Sequence, residues 1–149
     1  MKQIAIITIL ILSIFIPSEI FSQETLSWKT LSDVSFRNEV DEATQTTKII
    51  PNFGEQVKNY ENKTVIIKGY FIPIDADNNF YVLSKFPYSS CFFCGGAGPE
   101  TVVELEMDFV ILYQMKMTEP IRFQGEFALN ATDYDHCNYI LKNAKLIDK

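Results

Sequence analysis

The residues of this chain best suited to chemistry are two cysteines three apart in a glycine-rich run, Ser89-Ser90-Cys91-Phe92-Phe93-Cys94-Gly95-Gly96-Ala97-Gly98-Pro99-Glu100. That spacing permits three chemistries. Both thiolates can reach one metal ion, zinc or copper. A structural zinc takes four ligands, and the missing ones have to come from elsewhere: the sole histidine His136, its neighbour Cys137, or Glu100. Alternatively Cys91 and Cys94 form a disulfide, which closes so short a loop that it shapes the loop rather than holding the domain. The third chemistry is thiol–disulfide exchange. That needs a thiol at a helix N-terminus, where its pKa falls, and Gly95-Gly96-Ala97-Gly98-Pro99 is a poor helix start. Disulfide and metal stand level, and exchange catalysis fits less well.

Phe92 and Phe93 between the thiols put at least one ring outward or into a groove. Gly95, Gly96 and Gly98 let a ligand or partner backbone approach closely. A binding loop follows, since function concentrates on loops carried by a rigid scaffold. Other candidates are weaker. Glu104 and Glu106 share one face of a strand without an opposing group, which reads as a solvated face rather than an acid–base pair. Met115 and Met117 have the softness of copper ligands, but on an apolar segment they read as packing. Asp75-Ala76-Asp77-Asn78-Asn79 lacks the spacing of a calcium loop and reads as a hairpin turn.

The elements that position the loop are strands. Thr64 to Ile74 is the strongest: Val65, Ile67, Gly69 and Phe71 alternate onto one face, and mid-strand Gly69 predicts a bend or bulge. Phe80 to Lys85 returns from the turn. Thr101 to Met107 points Thr101, Val103, Leu105 and Met107 inward. Asp108 to Thr118 continues as strand or short helix. Pro120 to Leu129 alternates around Gly125. Asn130 to Cys137 reads as one helical turn. Asn138 to Ile147 is the last strand, with Tyr139, Leu141, Ala144 and Leu146 inward and a bulge near Asn143. Earlier, Glu24 to Val40 reads as a lead-in strand whose Trp28 packs on the domain, Arg37 to Lys48 as a loop or irregular hairpin, and Pro51 to Tyr60 as a short helix capped by Asn52 with Phe53, Val57 and Tyr60 on one face. About five coiled strands with one or two short helices make an all-β chain, a small OB-like five-stranded barrel. A small β-sandwich is the alternative.

Residues 1–23 read as a cleaved secretory signal: Lys2, then an apolar run from Ile4 to Ile16, then Pro17. The run is shorter than the roughly 20 residues a span needs, so no transmembrane segment remains after cleavage. Residues 24–149 then form a single domain, about 126 residues and enough for one hydrophobic core. A net charge of −6 argues against a nucleic-acid partner, and export permits disulfides. Three cysteines leave at least one unpaired or metal-bound.

Lys68-Gly69-Tyr70-Phe71-Ile72-Pro73, the block from Cys91 to Glu100, and Asn138-Tyr139-Ile140-Leu141 before Asn143-Ala144 resemble a family of bacterial exported proteins with a domain of unknown function. The resemblance spans Trp28 to the C-terminus. It implies an OB-like fold. Likeness to a group from gliding or host-associated Bacteroidetes-type bacteria implies a periplasmic location. It implies no activity and gives His136 and Cys137 no role. The expectation is therefore an exported, periplasmic or secreted, non-catalytic binding module. Its site is the Cys91–Glu100 loop with a zinc or copper ion as its candidate cofactor, and its partner is a ligand or an envelope protein. The alternatives are a thiol–disulfide oxidoreductase and a disulfide-braced structural envelope protein.

Overall fold

The structure, a computed structural model, describes residues 24–42, 45–107 and 118–147. The readings of residues 1–23 and of the strand or short helix over residues 108–117, Met115 and Met117 included, fall outside these. One long strand organises the rest. β4 (Thr64–Asp75) buries Val65, Ile67 and Phe71 completely, as period-two alternation requires. It is long enough to serve two neighbours. Its first half, Thr64 to Gly69, pairs antiparallel with β7 (Ile121–Leu129), and its second half, from Tyr70, pairs antiparallel with β5 (Phe80–Ser84).

The junction falls at Gly69. A Cβ there would lie 2.6 Å from the Ser84 carbonyl and 2.9 Å from the Trp28 ring, so only glycine admits the crossing strand end. β5 pairs with β6 (Val102–Leu105), β6 runs parallel to β8 (Tyr139–Leu146), and β8 pairs with β7. The order β4-β5-β6-β8-β7 closes back on β4. This is the OB-like five-stranded barrel expected from the sequence. The bulge near Asn143 is present, with φ +51 at that residue.

The barrel interior is aromatic. Phe71 stacks on Tyr81 and Phe123, and Phe127 stacks on Tyr139, with centroids 5.7 to 6.1 Å apart. The buried Tyr139 hydroxyl donates to the Leu31 carbonyl at 2.7 Å, tying the N-terminal segment to the barrel.

That segment departs from the expected lead-in strand. It comprises β1 (Glu24–Thr25), parallel to the start of β4, a one-turn helix α1 (Trp28–Leu31), and β2 (Val34–Asp41). Ser27 caps α1 by accepting from the Thr30 amide, a local signal strong enough to break the strand. Trp28 packs against the core as expected, and its indole donates to the Lys68 carbonyl at 2.7 Å. The stretch read as a loop or irregular hairpin is the closed end of a hairpin, a regular one, in which β2 pairs antiparallel with β3 (Thr46–Phe53). Thr46, Thr47 and Val40 suit strands. The expected helix from Pro51 shrinks to α2 (Glu55–Lys58), because Phe53 stays in β3; Asp33, not Asn52, accepts from its Gln56 amide. Leu146 is partly exposed rather than inward. Residues 130–138 form no helical turn. Asn130 takes over their backbone carbonyls, its Nδ2 donating to Asp133, His136 and Cys137.

Candidate functional site

β6 carries two faces. Val103 and Leu105 enter the barrel, while Val102 and Glu104 point outward yet are also buried. What covers the outward face is the cysteine loop at one side and the β7–β8 loop at the other.

On the cysteine side, Ile72, Val82, Val102 and Cys91 form a second buried cluster. Ile72 and Val82 are the outward-facing neighbours of Phe71 and Leu83 on their strands. Cys91 is fully buried there and behaves as a small hydrophobe. A short 3₁₀ turn, Phe92–Cys94, follows and ends on Gly95 at φ +76, a left-handed conformation suited to glycine. The Gly96 amide returns to the Cys91 carbonyl at 3.2 Å. A Cβ at Gly96 would stand 2.9 Å from the Ser90 carbonyl. The turn swings Cys94 into solvent, with its Sγ 3.8 Å from that of Cys91 and its thiol donating to the Tyr88 carbonyl at 3.1 Å. The hydrogen bond with Cys91, then lost hydration, then Cys91's charge hold the Cys94 thiol above its ordinary pKa. Phe92 leans on the cluster, whereas Phe93 is exposed. Gly98 sits against the Glu100 side chain, and its carbonyl accepts from the Thr101 hydroxyl at 2.6 Å.

On the other side Glu104 is the organising group. Its carboxylate meets His136 Nδ1 at 2.7 Å with one oxygen and accepts from the Cys137 amide at 2.9 Å with the other. This corrects the reading of Glu104 as solvated: a loop distant in sequence covers the strand face and supplies the partners that permit burial. Glu106 is exposed as expected. The hydrogen bond and charge of Glu104 hold the His136 imidazole above its ordinary pKa of 6.5. Burial, and then the charge of Glu104, push the Cys137 thiol up to about 12. Cys137 packs against the cysteine cluster as an inert thiol.

Between the two sides lies a cleft of about 560 Å³. Phe80, Phe92, Phe93 and Pro99 line one wall; Tyr134 to Asn138 line the other, and β3 from Thr46 to Ile49 closes the flank. The Lys48 ammonium sits over the Tyr134 ring, 5.0 Å from its centroid, across that flank. The sequence-predicted residues therefore separate. Phe92, Phe93, His136 and Cys137 share the cleft, while Cys91 lies beneath its wall. Among the described residues, no three His, Cys, Asp or Glu side chains converge where they could hold one ion. Sequence reasoning missed Phe80, Tyr134 and the role of Glu104. The available signal for Glu104 was its place as a single charge in Val102-Val103-Glu104-Leu105.

No family model matches the chain, and no curated protein matches it. A crystal structure of a DUF3299 family protein from Pseudomonas aeruginosa PAO1 is similar over 86% of this chain and 98% of its own, with a TM-score of 0.50 and 10% sequence identity. At that identity the likeness concerns the fold. Among the described residues no helix is long and apolar enough to cross a membrane.

Proposed function

We propose that the protein is an exported, non-catalytic binding module that holds an apolar group of its ligand in the cleft between the cysteine loop and the β7–β8 loop. The observation that carries this reading is the aromatic wall of Phe80, Phe92 and Phe93 facing a half-polar wall across about 560 Å³ on a closed barrel. Concave, mostly apolar sites with a few placed polar groups are what small ligands and anchoring side chains occupy. The non-catalytic part is supported by the cysteines: the pKa of the accessible thiol, Cys94, is raised where exchange catalysts lower theirs, and its turn is too short to act as a helix N-terminus. The Cys91–Cys94 spacing favours a disulfide over a metal site, since two sulfurs without further donors supply half of a zinc shell.

Export is supported by the Lys2 and Ile4–Ile16 layout and by a cysteine pair suited to an oxidising compartment. Fractionation with N-terminal sequencing tests it; a mature chain beginning at Glu24 is expected, and a retained Met1 in the cytoplasm refutes it. The cleft is tested with the apolar dye anilinonaphthalene sulfonate. Saturable binding that Phe93→Ala weakens by about tenfold is expected, and binding indifferent to Phe93 removes the reading.

A second reading, an envelope protein as the partner, is favoured by one observation. Val40 and Ile49 are exposed on the same face of the β2–β3 hairpin, beside the flank of the cleft.

A further inference from the structure

The cysteine pair and the cleft are joined through two rings, and this inference rests on the cleft reading above. Cys91 and Cys94 bracket Phe92 and Phe93. The two rings meet edge to face at 5.2 Å, and Phe93 meets Phe80 in the same way at 5.8 Å. All three rings line the cleft.

The sulfurs stand 3.8 Å apart, and a disulfide bond is about 2.05 Å long. Closing it needs a displacement, and the two ends are unequal in their freedom to supply it. Cys91 is fully buried among Ile72, Val82 and Val102. Close-packed interiors pass strain on rather than absorb it. Cys94 is exposed, and next to it Gly95 has open space around the position a Cβ would take. The movement therefore falls on Cys94 and on the three-residue turn that carries Phe92 and Phe93.

We propose that Cys91 and Cys94 form a reversible thiol–disulfide pair whose state sets the position of the Phe92–Phe93 wall of the cleft. The oxidant is a low-molecular-weight disulfide. The Cys94 sulfur attacks one of its sulfurs, a mixed disulfide forms, and one small thiol departs. The Cys91 sulfur then attacks the Cys94 sulfur, and the second small thiol departs. The protein loses two electrons and two protons, which leave as the S–H bonds of the two released thiols. Exposure makes Cys94 the point of entry and burial makes Cys91 the resolving thiol. Cys137 stays outside the exchange because it packs against the buried cluster, where a small disulfide does not reach it as it reaches the exposed Cys94.

The test equilibrates the secreted chain in buffers of reduced and oxidised glutathione and reads three signals. Alkylation after denaturation, with peptide mapping, should show Cys91 and Cys94 losing their reactivity together while Cys137 keeps its thiol. Amide chemical shifts should move at Phe92, Phe93 and Phe80 between the two states. The apolar dye should bind the two states with affinities at least about fivefold apart. Cys94→Ser should abolish the response to glutathione in all three. The proposal is overturned if no Cys91–Cys94 disulfide forms at the most oxidising ratio, or if it forms and the shifts stay confined to the two cysteines. Shifts at the phenylalanines with no dye bound in either state support the wall movement and remove the ligand reading of the cleft instead.

Discussion

The two walls of the cleft are held by opposite physics. The cysteine wall rests on apolar packing: Cys91 sinks into Ile72, Val82 and Val102, and Phe92 leans on the same cluster. The β7–β8 wall rests on hydrogen bonds: Asn130 gathers three carbonyls, and Glu104 takes the His136 ring and the Cys137 amide. The first wall is specified by apolar shape and carries the two thiols. The second is specified by direction and charge and responds to protons. A cleft built this way can keep one side fixed while the other is adjusted.

That contrast can be broken from either side. The largest effect is expected from Ile72→Ala, which opens a cavity beneath the cysteine wall at a cost of about 3 kcal/mol, measured by urea unfolding; a loss near zero would mean that the cluster does not support the loop. Glu104→Ala comes next. Removing a charged acceptor that serves a ring nitrogen and a backbone amide should cost about 2 kcal/mol and raise amide exchange across residues 133–137. Unchanged exchange there would show that the β7–β8 wall stands without it. Gly95→Ala sharpens the picture of the turn. Space is open at that position but φ is +76, so the cost is purely conformational, about 1 kcal/mol.

The smallest effect is the pH response. The folded state holds the His136 pKa above 6.5, so its stabilisation is complete below pH 6.5 and is lost as pH rises through the raised folded value. The imidazole is half-exposed, which keeps the contribution below about 1 kcal/mol. Thermal midpoints followed against pH should fall through that window in the native chain and not in Glu104→Gln. Parallel curves would remove His136 from the account of the wall.

Several features were legible because they are local. Alternation in Thr64–Ile74 and Pro120–Leu129 gave strand faces directly, and mid-strand Gly69, read as a bend or bulge, stands where β4 passes from β7 to β5 and no side chain fits. Asp75 through Asn79 formed the turn their side chains favour, with Asp75 accepting from the Asp77 and Asn78 amides. The misreadings share a cause. Ser27 redirected the chain through a single cap, Asn130 replaced a helical turn with side-chain hydrogen bonds, and Glu104 was buried by residues thirty-odd positions away. Each depends on a partner that periodicity does not reveal.

Taken alone, the order of residues determined an all-β chain of about five coiled strands, because repeated two-residue alternation with glycine at the bends leaves a short chain little else to bury, and it favoured a barrel over a sandwich without deciding between them. It also determined that Cys91 and Cys94 lie within reach of one another, since two intervening residues cannot part them far. Only the tertiary structure decided that one of these sulfurs is packed and the other open, and that Glu104 faces His136 rather than water. Burial and pairing across the barrel are properties of which strands become neighbours, and that is settled by closure of the sheet rather than by any stretch of chain.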